Sequence, residues 1–418
     1  MSDREILVYV DLEGSPHLAG RLWTRVSHGR ESASFEYDRQ WLLNPLKFAL
    51  EPSLSLGLGS FHTQRGKALF GALGDSSPDR WGRNLINRAE RRRARAAGQS
   101  PRTVLEVDYL LGVSDETRLG ALRFSDTEGG EFMASSAGQP VPPLITLPAL
   151  LQASANVEAD SDSSEDLQLL LAPGSSLGGA RPKASVRGNQ GELLIAKFPS
   201  QTDDHDMVRW EALALTLANR AGIPVPRYRL EAVADRHVIL LERFDRRQSG
   251  RIPTLSAMSL LGADDGETGS YVEIGDSLRQ HGAAVSVDLP QLWRRMVFNI
   301  LVSNLDDHLR NHALLYEDQR GWRLSPAYDL NPVPADIKPR VLSTAISVDG
   351  DPTASLELAL DAAGDFDLTP PKARCIAREV GLVTASWRDS GRQMGFTDAQ
   401  LDRMESAFEH KDLAEAIK

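Results

Sequence analysis

Cysteine is nearly absent: Cys375 is the only one in 418 residues. A lone thiol excludes an internal disulfide and any multi-cysteine metal centre, and it suits a reducing compartment. Long apolar runs are missing as well. Nothing approaches the ~18 uninterrupted apolar residues that a bilayer-spanning helix requires. The opening Met1-Ser2-Asp3-Arg4-Glu5 lacks the basic start and apolar run of a secretory leader, so a cytoplasmic chain with no membrane partner is expected. Positive charge is in deficit. Lys and Arg number 47 against 58 Asp and Glu, a formal net charge of −11. That argues against a general nucleic-acid binder and leaves room for a local basic patch or a basic partner. What is present is a globular composition, 41% hydrophobic and 25% charged, at a length that calls for two or three packed units.

Residues 1–125 open with strand-like runs. Ile6 to Val10 is followed by a turn at Glu13-Gly14-Ser15-Pro16, then by Leu18 to Val26, and Ser32 to Tyr37 alternates small and aromatic residues. A helix follows, with Ser77 as N-cap, Pro78 at the first helical position and Asp79 in the first turn. Trp81, Leu85 and Ile86 form its apolar side. Its second half carries Arg88, Arg91, Arg92, Arg93 and Arg95, either a solvated helix end suited to the dipole or a docking surface for an acidic partner or a phosphate backbone. Residues 126–166 read as a linker that ends in an exposed acidic, Ser-rich stretch from Asp160 to Asp166. Regular patterning resumes at Leu167. The expected divisions are therefore 1–125, 126–166, 167–395 and a C-terminal helix over 396–418, with Leu401, Met404 and Phe408 on its packed face.

Four constellations carry chemistry. The run Gly174-Ser175-Ser176-Leu177-Gly178-Gly179-Ala180-Arg181-Pro182-Lys183 is built from small residues and two cations. It could cradle phosphates through backbone N–H groups or simply turn between strands; no Gly-Lys-Ser/Thr closes it as a Walker loop. The strand Leu193 to Phe198 embeds Lys197, which must snorkel or pair. In kinases such a lysine meets nucleotide phosphates and a helical glutamate, here Glu211 on the helix Val208 to Arg220. A third run, Val238 to Leu241, emerges into Glu242-Arg243-Phe244-Asp245-Arg246, either a plain strand end or an adenine-binding hinge. The fourth is the most specific. A periodic helix from Leu292 runs into Leu305-Asp306-Asp307-His308-Leu309-Arg310-Asn311, then a strand from His312 and Ser325-Pro326-Ala327-Tyr328-Asp329. Asp306 and Asn311 are five positions apart, the spacing of base and metal ligand in a kinase catalytic loop, and Asp329 ends a short strand where a second ligand is needed. Magnesium ions take hard oxygen ligands, and a further carboxylate must stay free to accept a hydroxyl proton.

In this ordered series the chain resembles the HipA family of bacterial toxin kinases over nearly its whole length. Asp306 to Asn311 and Pro326 to Asp329 are the specific segments, with Glu242 to Arg246 in support. The resemblance implies an α+β fold: a small β-rich N-terminal domain, then a kinase-like, two-lobed domain. It implies an ATP- and Mg²⁺-dependent serine/threonine protein kinase with Asp306 as base and Asn311 and Asp329 as metal ligands. Lys197, Lys183 and the loop residues Leu177, Gly178 and Gly179 would meet phosphates; Glu242 and Phe244 would meet adenine, with His308 and Tyr328 near the nucleotide. It further implies autophosphorylation at Ser176, seven positions ahead of Lys183, or at neighbouring Ser175. A phosphate there would repel nucleotide and silence the enzyme. Family members act as toxins on a translation component, such as an aminoacyl-tRNA synthetase. A small DNA-binding antitoxin of the HipB type restrains them, so DNA would be met only through that partner.

The sequence departs from the family pattern at two places. Arg181-Pro182 replaces a polar pair before the loop lysine. Asp307 stands where glycine is common, as an outward-facing residue or an additional metal or substrate contact. Two other functions fit parts of the set. A metal-dependent phosphohydrolase could use Asp306, Asp307, His308 and Asp329 around two metals, without needing Lys197, the glycine loop or the hinge. A non-catalytic scaffold for antitoxin and DNA would tolerate loss of Asp306.

Overall fold

The computed structural model describes residues 4–135, 141–171, 179–247, 250–317 and 320–418. The chain forms two compact units, Met1–Asp204 with Tyr228–Leu255, and His205–Arg227 with Ser256–Lys418. Helix and sheet are mixed through the chain, as an α+β class requires. The run expected as one domain, 167–395, contributes to both units.

The first unit holds a five-stranded antiparallel sheet in the order Ser60–His62, Arg30–Tyr37, Ser15–Ser27, Arg4–Leu12, Leu122–Ser125, with alternating burial along Arg30–Tyr37 and continuous burial from Ile6 to Asp11. Gly20 is obligatory in it, because a Cβ there would lie 2.3 Å from the Glu36 carbonyl oxygen and 2.4 Å from the Phe35 ring. A second antiparallel sheet runs Lys183–Arg187, Leu193–Lys197, Arg236–Glu242, Tyr228–Val233. Its inner face (Ala184, Val186, Leu194, Ala196, Leu240) packs with Trp81 and Leu85 of the helix Arg80–Ala96.

The expected linker is part of this core. Leu147–Glu158 and Ser164–Leu171 are helices, and their Leu147, Leu150, Val157, Leu167 and Leu170 pack in the same cluster. The acidic stretch is not wholly exposed either. Asp162 is buried and binds Arg88 and Arg92, while exposed Asp160 reaches Arg88. Part of the basic helix face thus has its acidic partner within the chain. That helix starts two residues later than expected. Asp79, not Ser77, is the N-cap, accepting from the Gly82 N–H at 2.8 Å. Its other oxygen takes the Lys183 ammonium at 2.8 Å, both side chains being 4% exposed.

The Glu242–Arg246 run has a structural half. Arg243 and Asp245 pair at 2.6 Å with side chains 1% exposed, and Arg246 joins Asp245 at 2.7 Å. Asp245 also accepts from the Gly120 N–H, and Arg243 donates to the Thr117 and Arg118 carbonyls. Burial alone would push the Asp245 carboxyl up; the flanking Arg243 and Arg246 outweigh it and hold it far below the usual range. A buried charge survives only when paired in this way.

The second unit is built around the helix Val285–Leu301, whose Leu292, Trp293, Met296, Val297, Ile300 and Leu301 are fully buried. The helices Tyr271–His281, Leu356–Asp361 and Pro370–Ala385 pack on it. The C-terminal segment divides into Asp398–Arg403, Glu405–Phe408 and Lys411–Ala416 instead of one helix. Its packing role holds: Leu401, Met404 and Phe408 are buried, and Phe408 stacks on Trp387 at 4.4 Å.

His410 fastens this segment. Its Nδ1 accepts from the Leu413 N–H as a helix cap, and its Nε2 donates to the Leu301 carbonyl at 3.2 Å. Only the neutral ring can do both. Burial, then the nearby Arg340 cation, lowers its pKa from 6.5 to about 4, against the opposing pull of Asp412. The unfolded chain therefore binds this proton more readily, and stability falls as pH drops from about 6.5 toward 4, by up to about 3 kcal/mol. Urea unfolding across that range should show a smaller pH slope in His410→Asn, which keeps a capping side chain without titrating. An identical slope in both proteins would contradict this assignment.

Candidate active site

The chemistry-bearing loop begins where the central helix stops at Leu301. Asn304 closes the helix end, its N–H donating to the Asn299 carbonyl and its Nδ2 to Asn299 Oδ1 at 3.1 Å. The chain then makes a short 3₁₀ turn over Leu309–Asn311. The His308 N–H donates to the Asp306 carbonyl and the Asn311 N–H to the His308 carbonyl. Asn311 Nδ2 donates to the Asp306 carbonyl at 3.0 Å. A carbonyl can only accept, so this bond fixes which end of the amide is oxygen. Asn311 Oδ1 then points the other way; it is buried and has no hydrogen-bond partner among the described residues. An orphaned buried amide oxygen is costly unless something electropositive meets it, and a divalent cation fits.

Asp306 and Asp307 face opposite ways. The Asp306 side chain is 73% exposed. Asp307 is 3% exposed, and its Oδ2 takes the Tyr271 hydroxyl and lies 2.9 Å from His312 Nε2. It is thus not an outward-facing residue, and its Oδ2 is engaged by those two partners. Burial alone would push its carboxyl up; His312 and the Tyr271 hydroxyl prevail and hold it below the ordinary value. Burial and the Asp307 charge push the Tyr271 phenol well above its usual range, so it stays a donor.

The segment with Asp329 is bonded onto this loop. The Asn331 N–H donates to Asn304 Oδ1 at 3.0 Å, the Val333 N–H to the Ser303 carbonyl, and the Tyr328 hydroxyl to the Arg310 carbonyl at 2.7 Å. Asp329 is not at a strand end. The strand is Gly321–Leu324, and Asp329 lies beyond it with φ +58°, a left-handed conformation unusual outside glycine. Such strain concentrates at functional sites. Asn331 Nδ2 donates to Asp329 Oδ1 at 3.2 Å. A continuous polar chain therefore runs His312–Asp307–Tyr271–Asn299–Asn304–Asn331–Asp329. Asn311, Tyr328, Asp307 and His312 line one small cavity beside it.

The remaining expected residues belong to other parts of the chain. Lys197 and Lys183 stand directly opposite in register in the second sheet of the first unit. Gly179 is described, whereas Ser175, Ser176, Leu177 and Gly178 lie outside the described residues. Arg181 pairs with Asp203, so the departure from the family pattern is matched by an acid. Glu242 and Phe244 are half-buried at the strand end. Glu211 is buried in the helix Met207–Arg220 of the second unit. The functional-site neighbours that sequence reasoning passed over are Tyr271, Asn299, Asn304 and Asn331, of which only Asn304 is close to Asp307 in the chain. Asp307→Ala should leave the Tyr271 hydroxyl and His312 buried without their partner and lower unfolding free energy by about 3–5 kcal/mol. Denaturant titration reads this directly; a loss under about 1 kcal/mol would remove Asp307 as the anchor.

The chain is similar to several known proteins. Over 185 residues the chain is 31% identical to a Sinorhizobium fredii protein named Putative kinase Y4dM, covering 40% of this chain and 42% of that one. It is 27% identical over 236 residues to Putative kinase Y4mE of the same organism, covering 50% and 54%. The chain spans about half the length of these curated relatives. The solved complex of Shewanella oneidensis HipA, HipB and operator DNA contains a chain of the same fold. The match has a TM-score of 0.68 at 15% identity and covers 99% of this chain and 96% of that one. The model of the HipA-like C-terminal domain matches residues 175–387, just over half of the sequence. This protein belongs to the HipA-like C-terminal domain family.

Proposed function

We propose that this protein is a serine/threonine protein kinase that transfers the γ-phosphoryl group of ATP, with Mg²⁺, to a hydroxyl on a protein substrate. The observation that carries the reading is the buried Asn311 Oδ1, without a hydrogen-bond partner among the described residues, on the same short loop as the exposed carboxylate of Asp306, with Asp329 bonded onto that loop through Asn331. Asn311 and Asp329 would hold the metal. When bound, that ion supplies charge neutralisation on the phosphates. Asp306, exposed and off the polar chain, would accept the proton of the attacking hydroxyl. His308 and Tyr328 would border the nucleotide, and Lys183, Lys197, Glu242 and Phe244 are proposed as nucleotide contacts on the family resemblance alone. Positioning and charge stabilisation would supply most of the acceleration.

The phosphohydrolase alternative needs Asp307 as a ligand, and the engagement of its Oδ2 by Tyr271 and His312 weighs against that. By analogy with the Shewanella complex, a small DNA-binding antitoxin of the HipB type is the proposed partner. DNA would be reached only through it, and a translation component is the proposed target. Autophosphorylation at Ser176 or Ser175 would restrain the enzyme.

Incubating the purified chain with γ-labelled ATP and Mg²⁺ in a cell lysate tests the reading. Label should move to protein, and Asp306→Ala should reduce the rate by about 10²–10⁴-fold. Equal labelling by wild type and variant would refute the kinase assignment. Release of free phosphate without labelled protein would point to the hydrolase.

A further inference from the structure

We propose that Lys338 is a catalytic residue: its ammonium neutralises charge on the transferring phosphoryl group beside Asp306. The inference rests on the kinase reading above. Lys338 forms no part of any motif around the loop and comes from a turn that follows Pro334, where the Ile337 and Lys338 N–H groups both donate to the Pro334 carbonyl. That turn is anchored at its outer side, by Asp336 to Arg403 at 3.0 Å and by the Ala335 N–H to Ser406 Oγ. Its inner side delivers Lys338 to the loop. Lys338 Nζ lies 3.3 Å from the Leu305 carbonyl and 3.9 Å from Asp306 Oδ1. The same carbonyl takes the Ser343 N–H and hydroxyl, so the peptide ahead of Asp306 is held from several directions.

Charge decides what this placement is for. A carboxylate base beside a triphosphate faces like-charge repulsion at the point where the hydroxyl must approach. The loop's own permanent cation, Arg310, is turned toward Asp265 at 3.5 Å. Lys338 supplies the cation instead. An open ion pair at 3.9 Å, with side chains 40% and 73% exposed, adds almost nothing to stability. The same exposure leaves the ammonium free to swing from Asp306 to a phosphoryl oxygen.

In the transfer step the substrate hydroxyl oxygen bonds to the γ-phosphorus, and its proton passes to Asp306. The bond from the γ-phosphorus to the β–γ bridging oxygen breaks, and its electron pair leaves with the nucleoside diphosphate. Lys338 keeps its protons throughout and donates a hydrogen bond to a non-bridging oxygen of the group in flight.

The test compares full-length wild type, Lys338→Met, Lys338→Arg and Asp306→Ala for labelling of lysate proteins from γ-labelled ATP and Mg²⁺, over a range of ATP concentrations, with melting temperatures measured alongside. Lys338→Met should cut the maximal rate by about 10²-fold, with the ATP concentration at half-maximal rate shifted far less and the melting temperature nearly unchanged. Lys338→Arg should recover most of the loss. A Lys338→Met rate close to wild type overturns the proposal, as does a rate that falls only in step with the folded fraction. Absence of labelling by wild type would instead strike the kinase reading itself.

Discussion

Asp307 takes a negative charge into a region that water does not reach, and the site is organised around what that charge demands. A buried carboxylate needs donors, and Tyr271 and His312 supply them from a helix and from the start of a strand. Tyr271, once committed to donating, can still accept, and Asn299 uses that capacity. Asn299 is tied to Asn304, and Asn304 to the backbone of Asn331. The Asn299 and Asn304 amides both give and receive, and Asn331 gives twice. Shifting one member strands the next, so the two chemistry-bearing segments are locked in register.

The consequence is a division of labour between adjacent acids. Backbone geometry turns Asp306 outward when Asp307 is turned inward. The inner acid fixes the loop, and the outer one stays open to solvent. Asn311 is treated similarly at its two ends: its amide nitrogen closes the turn on the Asp306 carbonyl, and its oxygen is left aimed away. The strained backbone at Asp329 belongs to the same construction, because the bonds at Tyr328, Asn331 and Val333 on either side hold that residue in place.

Local pattern carried much of this into the sequence. The five-residue spacing from Asp306 to Asn311 is what a short turn needs for the asparagine amide to reach back to the aspartate carbonyl. Apolar and alternating runs marked the strands at Arg4–Leu12, Ser15–Ser27 and Arg30–Tyr37 in the first sheet and Leu193–Lys197 and Arg236–Glu242 in the second, and the central helix announced itself by period. Long-range partnerships were not legible. The helices over 147–158 and 164–171 sit among Ser-, Pro- and Asp-rich flanks that read as linker, and their apolar faces make sense only against the sheet they cover. Asp162 looked solvated because its partners, Arg88 and Arg92, lie far upstream. The helix cap moved from Ser77 to Asp79 because Asp79 also receives Lys183, which no window of sequence reveals. Asp307 was read by its neighbours in the chain, whereas Tyr271 decides its role from 36 positions away.

The central claim is that Asn311 and Asp329 form one metal-binding edge, held together through Asn304 and Asn331. Mn²⁺ binding followed by electron paramagnetic resonance, in the presence of a non-hydrolysable ATP analogue, tests it without reference to turnover. The account predicts at least tenfold weaker Mn²⁺ binding in Asn311→Ala and in Asp329→Ala alike, in proteins that remain folded. Binding that is unchanged in either variant would contradict it.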